Sequence, residues 1–404
     1  SKKYVAKIEF IADECDLALL SVEDKKFFDG VKPMEIAEVP YLQEEIVVLG
    51  YPIGGEELSI TKAVDSRIEY QTYSHSFFSL MACQIDAAVN PGNSGGPVML
   101  GDKMVGVAFQ TDLYAENTGY FIPEPVIRHF FEDIKDGVCN GFPFLAIETQ
   151  NLENEDLRKY YKCGDDDYGI LVTNIADISP LKNIVKVEDV IIEIDGVPIS
   201  NDGTVIFRPT ERINYNYIID KKHIGDECRI KVIRDGKKID LKFKWTLNGS
   251  DAFIMYSDEY NTQPRYLVFA GFVFQALTIN YLRTYGTYWY YEAPKSLLGY
   301  AGTFKSDTLN EVVIINTILK DEINQGYDYF GYGSYIVKSV NKKRIKSLDD
   351  LISLIDKEKS DFIIFEDYSN NKIILDRKKA FARNSEILKK YNVTSDRSKV
   401  FIKN

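Results

Sequence analysis

The run Asn90-Pro91-Gly92-Asn93-Ser94-Gly95-Gly96-Pro97 constrains this chain more than any other stretch. Glycine at 92, 95 and 96 calls for a tight turn, in which backbone N–H groups converge because no side chain blocks them. Such a turn offers what acyl transfer needs: a hydroxyl to attack with and amide donors aimed at a developing oxyanion. On this reading Ser94 is the nucleophile. The amides of Gly92 and Ser94, with Asn93 between them, form the oxyanion hole.

The spacing Gly-x-Ser-x-Gly is common by itself and also fits the nucleophile elbow of α/β-hydrolases, which needs a helix directly after the serine. Here Pro97-Val98-Met99-Leu100 runs through Gly101-Asp102-Lys103 into the apolar stretch Met104 to Phe109. That pattern is a β-hairpin, and the elbow is set aside. Upstream, Asp13-Glu14-Cys15-Asp16-Leu17-Ala18-Leu19-Leu20 puts a carboxylate at the start of an apolar run. Alone, Asp16 reads as a helix cap or strand-edge residue. Followed at this distance by the Ser94 turn, it reads as an acid that orients an imidazolium.

These stretches together resemble the HtrA/Deg family of serine proteases. The shared residues are Asp16 to Leu20, Gly50-Tyr51-Pro52-Ile53-Gly54-Gly55, Gln84-Ile85-Asp86-Ala87-Ala88, Asn90 to Pro97 and Gly119-Tyr120-Phe121-Ile122-Pro123. The resemblance covers the second β-barrel of the protease and the end of the first. It implies a chymotrypsin-like fold, Asp16 as triad acid and Ser94 as nucleophile. The loop before Ser94 and the segment 109–120 would shape the S1 pocket, for small or medium apolar residues. In the chymotrypsin order a histidine precedes the aspartate, and no histidine precedes Asp16. His75 reads as a loop residue, and His129 and His223 as solvated. The catalytic histidine is therefore expected upstream of Ser1, and the chain alone is expected to be inactive.

Two further β-rich units follow a Gly- and Pro-bearing linker at 139–143. The first carries Phe144-Leu145-Ala146-Ile147, then Ile191 to Gly196, and looks like an HtrA-type PDZ domain. PDZ recognition adds a peptide as an extra strand and captures its carboxylate with loop amides. Phe144, Leu145, Ala146 and Ile147 would be that loop, taking C-terminal or extended peptides. In the last unit Gly271-Phe272-Val273-Phe274 imitates such a loop, and Ile336 to Asn341 and Leu348 to Ile355 read as strand and helix of a second, divergent PDZ domain. The aromatic insert 281–300 fits either a contact surface or a plain core. The expected class is mainly β with some helix: a chymotrypsin-like β-barrel, its N-terminal barrel largely missing, then two PDZ-like β/α domains. The boundaries read as 1–136 for the partial protease, 142–250 for the first PDZ and 262–404 for the second with its C-terminal extension.

The resemblance implies an ATP-independent endopeptidase of protein quality control that cleaves unfolded or misfolded chains. It also implies a holding (chaperone) capacity and assembly as a trimer or hexamer. The alternative is a non-proteolytic PDZ scaffold or chaperone with a degenerate protease domain, resting on the missing histidine. A net charge of −12 argues against a nucleic-acid partner. The longest apolar run, Leu267 to Leu277, is well short of the ~20 residues of a spanning helix. Five cysteines without CxxC spacing and three histidines suggest neither a disulfide framework nor a metal site, and no cofactor motif occurs. Free thiols point to a reducing intracellular compartment, with any targeting segment outside this chain.

Overall fold

Two antiparallel strands open the chain, β1 (Ala6–Ala12) and β2 (Leu17–Val22), joined by the single 3-10 turn Asp13–Cys15. The computed structural model describes residues 3–52, 57–87, 89–111, 117–260, 262–327 and 335–399. By internal contacts the chain divides into two units, Ser1–Ala252 and Phe253–Asn404.

Six strands close a barrel in the first unit: β3 (Glu45–Gly50), β4 (Ser59–Thr72), β5 (Ser79–Ile85), β6 (Pro97–Leu100), β7 (Lys103–Thr111) and β8 (Gly119–Pro123). Their order around it is β3-β4-β5-β8-β7-β6, and the pairs Val47↔Met99 and Val48↔Val98 close the ring. Period-two alternation sends Ile46 and Val48 inward from β3. β8 is buried along its whole length, because helix α1 (Glu124–Asp133) follows it directly and covers it. Pro125 suits the first turn of α1, where an N–H would lack a helical partner anyway. Val126, Ile127 and Phe130 lie on its buried face. Each such side chain contributes about 1.5–3 kcal/mol by leaving water.

After the linker come β9 (Ile147–Asn151), α2 (Glu155–Tyr160), β10 (Ile170–Ile175), β11 (Val190–Ile194) and β12 (Val197–Pro198). The hairpin β13 (Thr204–Arg208) and β14 (Glu211–Asn214), α3 (Asn216–Ile219), β15 (Glu227–Arg234), β16 (Lys237–Lys244) and α4 (Gly249–Ala252) complete the unit. The sheet order is β16-β15-β11-β10-β9, with β12 beside β11, so β9 is an edge strand. This segment packs on the barrel. Arg208 donates to the carbonyls of Pro40, at 2.9 Å, and Val39. The Tyr70 hydroxyl donates to Asp220 on the other side.

The second unit is one sheet with helices. Its strands are β17 (Tyr266–Phe269), β18 (Phe272–Ala276), β19 (Val313–Ile318), β20 (Tyr335–Val340), β21 (Lys343–Arg344), β22 (Phe362–Asp367) and β23 (Lys372–Asp376), in the order β17-β18-β19-β20-β22-β23 with β21 beside β20. The helices Leu348–Lys357 and Arg377–Lys390 flank it. Phe272, Phe274, Tyr335 and Phe365 fill its core. The aromatic insert is part core and part exposed surface. Leu282 and Leu297 form a small core of their own, while Tyr288, Tyr290 and Tyr291 stay exposed.

Candidate active site

The Ser94 turn lies between the end of β3 and the start of β6, and it packs closely on β3. A Cβ on Gly96 would lie 2.0 Å from the Leu49 carbonyl oxygen, and one on Gly50 would lie 2.5 Å from Asn93 Oδ1. Gly92 and Gly95 have φ of 100° and 84°, which side-chain-bearing residues rarely adopt. Asn93 is buried, with its N–H given to the Asn90 carbonyl at 2.9 Å, while its own carbonyl accepts from Gly96 N at 2.9 Å. Gly95 N and Ala108 N tie the turn to β7 at 2.8 and 2.9 Å.

Ser94 itself is exposed, and its Oγ donates to the Phe109 carbonyl at 3.0 Å. Among the described residues, neither the Gly92 amide nor the Ser94 amide has a hydrogen-bond partner. Of the three residues expected to form the oxyanion hole, Asn93 therefore contributes spacing, while Gly92 and Ser94 keep uncommitted donors.

Asp16 ends the 3-10 turn in the left-handed region, at φ 55°, and β2 starts directly after it. Burial of its carboxyl raises its pKa, the nearby His75 imidazole opposes that, and Asp13 adds to it. His75 sits in the β4–β5 loop with Nε2 3.4 Å from Asp13 Oδ1. Phe109 relates the two sides of the site. Its carbonyl holds Ser94, and its ring packs 4.4 Å from Tyr73, whose hydroxyl donates to the Met81 carbonyl at 2.7 Å. Among the described residues no imidazole hydrogen-bonds Ser94 Oγ. Residues 53–55 and Ala88, parts of the stretches on which the resemblance rested, and 112–116, part of the segment expected to shape the S1 pocket, lie outside the described residues.

His129 and His223 are not solvated as expected. His129 lies on the inner face of α1 at 4% exposure, stacked between the Phe142 ring at 4.0 Å and the His223 ring at 4.3 Å. Helical spacing from Val126 and Phe130 turns it inward, where burial and then the His223 ring push its pKa down to about 4. His223 is itself mostly covered, with Nε2 3.5 Å from the Glu132 carboxylate.

In the first PDZ segment Leu145 and Ala146 are buried, and their carbonyls accept from Ser179 Oγ at 2.6 Å and Ala176 N at 3.0 Å. Phe144 N donates to the Leu247 carbonyl at 2.9 Å. Ala146 stands at φ 49°, and Ile147 then begins the edge strand β9. An unpaired strand edge is the geometry that accepts a peptide as an added strand.

The expectation for Gly271, Phe272, Val273 and Phe274 needs correcting. Gly271, at φ 83°, belongs to the β17–β18 turn, and the other three lie in β18, paired to β17 on one side and β19 on the other. Phe272 and Phe274 are fully buried. The edge of β17 is itself occupied, since Val268 N donates to the Asp396 carbonyl at 2.5 Å and Leu267 bridges Arg397. The alternation of Phe272 and Phe274 was a core signal, and β18 has no edge left for a peptide.

Sequence reasoning missed three acids, Glu14 and Asp65 buried and Asp220 partly buried, where the first PDZ segment meets the barrel. Burial pushes Asp220 up to about 8 against the Tyr70 hydrogen bond, with Glu14 reinforcing the rise. Asp65 also reaches about 8 through burial, with Arg208 opposing and Glu211 and Glu44 reinforcing. Burial raises Glu14 to about 7 against the amide bonds from Phe142 and Ser250. A carboxyl whose folded pKa is raised favours folding while protonated, and its contribution is lost as pH climbs through the folded value. The unit Ser1–Ala252 is thus expected to melt clearly lower at pH 9 than at pH 6. Each such group loses about 1.4 kcal/mol per pH unit of rise below its folded value, and a domain of this size moves about 2–4 °C per kcal/mol. Asp220→Asn, which keeps an acceptor for Tyr70, should flatten that slope in calorimetric melts. An unchanged slope would remove Asp220 from the account.

Comparison with known proteins agrees with this layout. The trypsin-like peptidase domain matches residues 1–107, and PDZ domains match 143–244 and 255–400. "Putative protease Do-like 3, mitochondrial" of Arabidopsis thaliana is 37% identical over 97% of this chain and 68% of its own length. "Putative protease Do-like 13" of the same plant is 38% identical over 97% of this chain and 75% of its own. Among solved structures, "HtrA-type protease AlgW with tripeptide" aligns at a TM-score of 0.48 and 22% identity, over 60% of this chain and 77% of that one.

Proposed function

The chain belongs to the HtrA/Do-like family of serine proteases, with a trypsin-like peptidase domain and two PDZ domains, and on that premise we propose that Ser94 is the nucleophile and Asp16 the acid of an ATP-independent endopeptidase for unfolded polypeptides. The observation that carries this reading is the turn at Ser94: an exposed hydroxyl flanked by the uncommitted amides of Gly92 and Ser94.

In this reading a histidine from the segment upstream of Ser1 takes the proton of Ser94 Oγ as it attacks a peptide carbonyl. Asp16 orients the resulting imidazolium, and the Gly92 and Ser94 amides donate to the tetrahedral oxyanion. Collapse expels the amine, which receives the proton from the imidazolium, and water then releases the acyl group by the same route. The bond from Ser94 to the Phe109 carbonyl is a resting arrangement that the incoming base and substrate replace.

β9 with the loop 144–147 supports a peptide-reading role for the first PDZ domain. Family membership further supports a holding capacity for unfolded chains, a trimeric or hexameric assembly and residence in an organelle. The test is the full-length protein with casein and with a stably folded globular control, in the absence of ATP. Cleavage of casein alone is the expected result. Binding of casein without cleavage would instead favour a PDZ scaffold with a silent protease domain.

A further inference from the structure

We propose that Glu14 is a positioning residue that fastens both ends of the first PDZ segment to the turn carrying Asp16, so that the seating of that segment sets the placement of the acid. This rests on the protease reading of Asp16 given above.

Glu14 lies in the Asp13–Cys15 turn and is buried. Its Oε2 accepts the Phe142 N–H at 2.7 Å and its Oε1 accepts the Ser250 N–H at 2.8 Å. Phe142 stands just before the first PDZ segment and Ser250 just after it. The two ends are zipped together there. Gly249 N donates to the Phe142 carbonyl at 3.1 Å, and Asn248 Nδ2 donates to the Asn140 carbonyl at 2.9 Å. One carboxylate thus joins three strands of chain, across 236 residues of sequence in the case of Ser250.

The linker is shaped around this carboxylate. A Cβ on Gly141 would lie 2.5 Å from Glu14 Oε2, and Gly141 takes φ 76°. On the other side a single residue, Cys15, separates Glu14 from Asp16. The turn is held by Asp16 N to the Asp13 carbonyl at 3.4 Å and by Ser76 Oγ to the Glu14 carbonyl at 2.8 Å. A shift of the Phe142–Ser250 junction is therefore transmitted to the Asp16 backbone through one short, bonded turn. Burying an acid without a cation is costly, so the two amide bonds are what hold it in place. The groups facing it are Asp251 beyond Ser250, Cys15 in its own turn, Cys139 in the linker and Asp220 at the C-terminal cap of α3.

The test uses the full-length protein, with amide NMR and cleavage of a short chromogenic peptide. Phe142 and Ser250 amide signals should titrate together near pH 7, the value to which burial raises Glu14. The Asp16 and Leu17 amides should follow the same midpoint, and Glu14→Gln should abolish all four transitions. Glu14→Ala should lower kcat by as much as about a hundredfold with KM within about twofold, as expected for a misplaced catalytic group. Ser250→Pro deletes the backbone N–H and the hydroxyl of Ser250 in the first turn of α4 while leaving every residue of the Asp16 turn unsubstituted. It should still shift the Asp16 and Leu17 signals and lower kcat, and, because a buried carboxylate loses a donor, lower the melting temperature by a few degrees. Static Asp16 and Leu17 signals in both Glu14→Gln and Ser250→Pro, with kcat near wild type, would overturn the proposal and leave Glu14 a linker cap. If the wild type cleaves nothing, the protease reading fails separately, and the NMR shifts alone decide the coupling.

Discussion

Ser94→Ala in the full-length protease should lower kcat on an unfolded substrate by about six orders of magnitude, with little effect on folding. The size follows from losing the nucleophile of a cooperative set, where removing one member costs nearly as much as removing all. A small residual rate should remain, because the Gly92 and Ser94 amides still stabilise the oxyanion of a water-driven reaction. The fold should tolerate the change. Ser94 is exposed, and its hydroxyl donates to the Phe109 carbonyl, a bond worth about 1 kcal/mol. Single-turnover cleavage and a calorimetric melt check both halves. Wild-type activity in the variant would remove Ser94 from the chemistry.

Gly96→Ala should be the most damaging single methyl in the barrel. The added Cβ would meet the Leu49 carbonyl at 2.0 Å and the Asn93 carbonyl at 2.9 Å. Both are backbone atoms, so no side chain can swing aside. Relief requires β3 to separate from the turn, which strains the Val47↔Met99 and Val48↔Val98 pairs that close the barrel. Overpacking costs about 1–3 kcal/mol and more where the clash is with fixed atoms, so this change falls at the upper end, about 3 kcal/mol. Gly95→Ala is the control. Its Cβ meets nothing within 4 Å, but its φ of 84° is left-handed, which costs about 1–2 kcal/mol. Denaturant unfolding should therefore rank Gly96→Ala clearly below Gly95→Ala, and the reverse order would show that the β3 contact is not what fixes the turn.

Much of this was legible before the structure. Glycine spacing at 92, 95 and 96 encodes a turn whatever surrounds it, and β3, β7 and α1 carry plain periodicity. The chain order of Asp16 and the Ser94 turn pointed to the protease family, whose models match this chain. What stayed hidden depends on neighbours far away in sequence. His129 looked polar on a helix, yet its burial is decided by Phe142 and His223. Gly271 to Phe274 has the letters of a carboxylate loop, but whether β18 is an edge depends on β17, which covers it. Glu14 resembled any acid in a charged turn, because the amides that claim it lie at residues 142 and 250.

The central claim is that the Ser94 hydroxyl is activated by a complete catalytic set when the full-length protein is folded. A fluorophosphonate probe tests this directly, since it reacts with an activated serine and is retained as a covalent adduct. Peptide mass spectrometry of the labelled full-length protein should place one adduct per chain on Ser94. Labelling should vanish in Ser94→Ala and slow sharply in Asp16→Asn. A folded protein that digests casein while Ser94 stays unlabelled, or carries the adduct on another serine, would contradict the account.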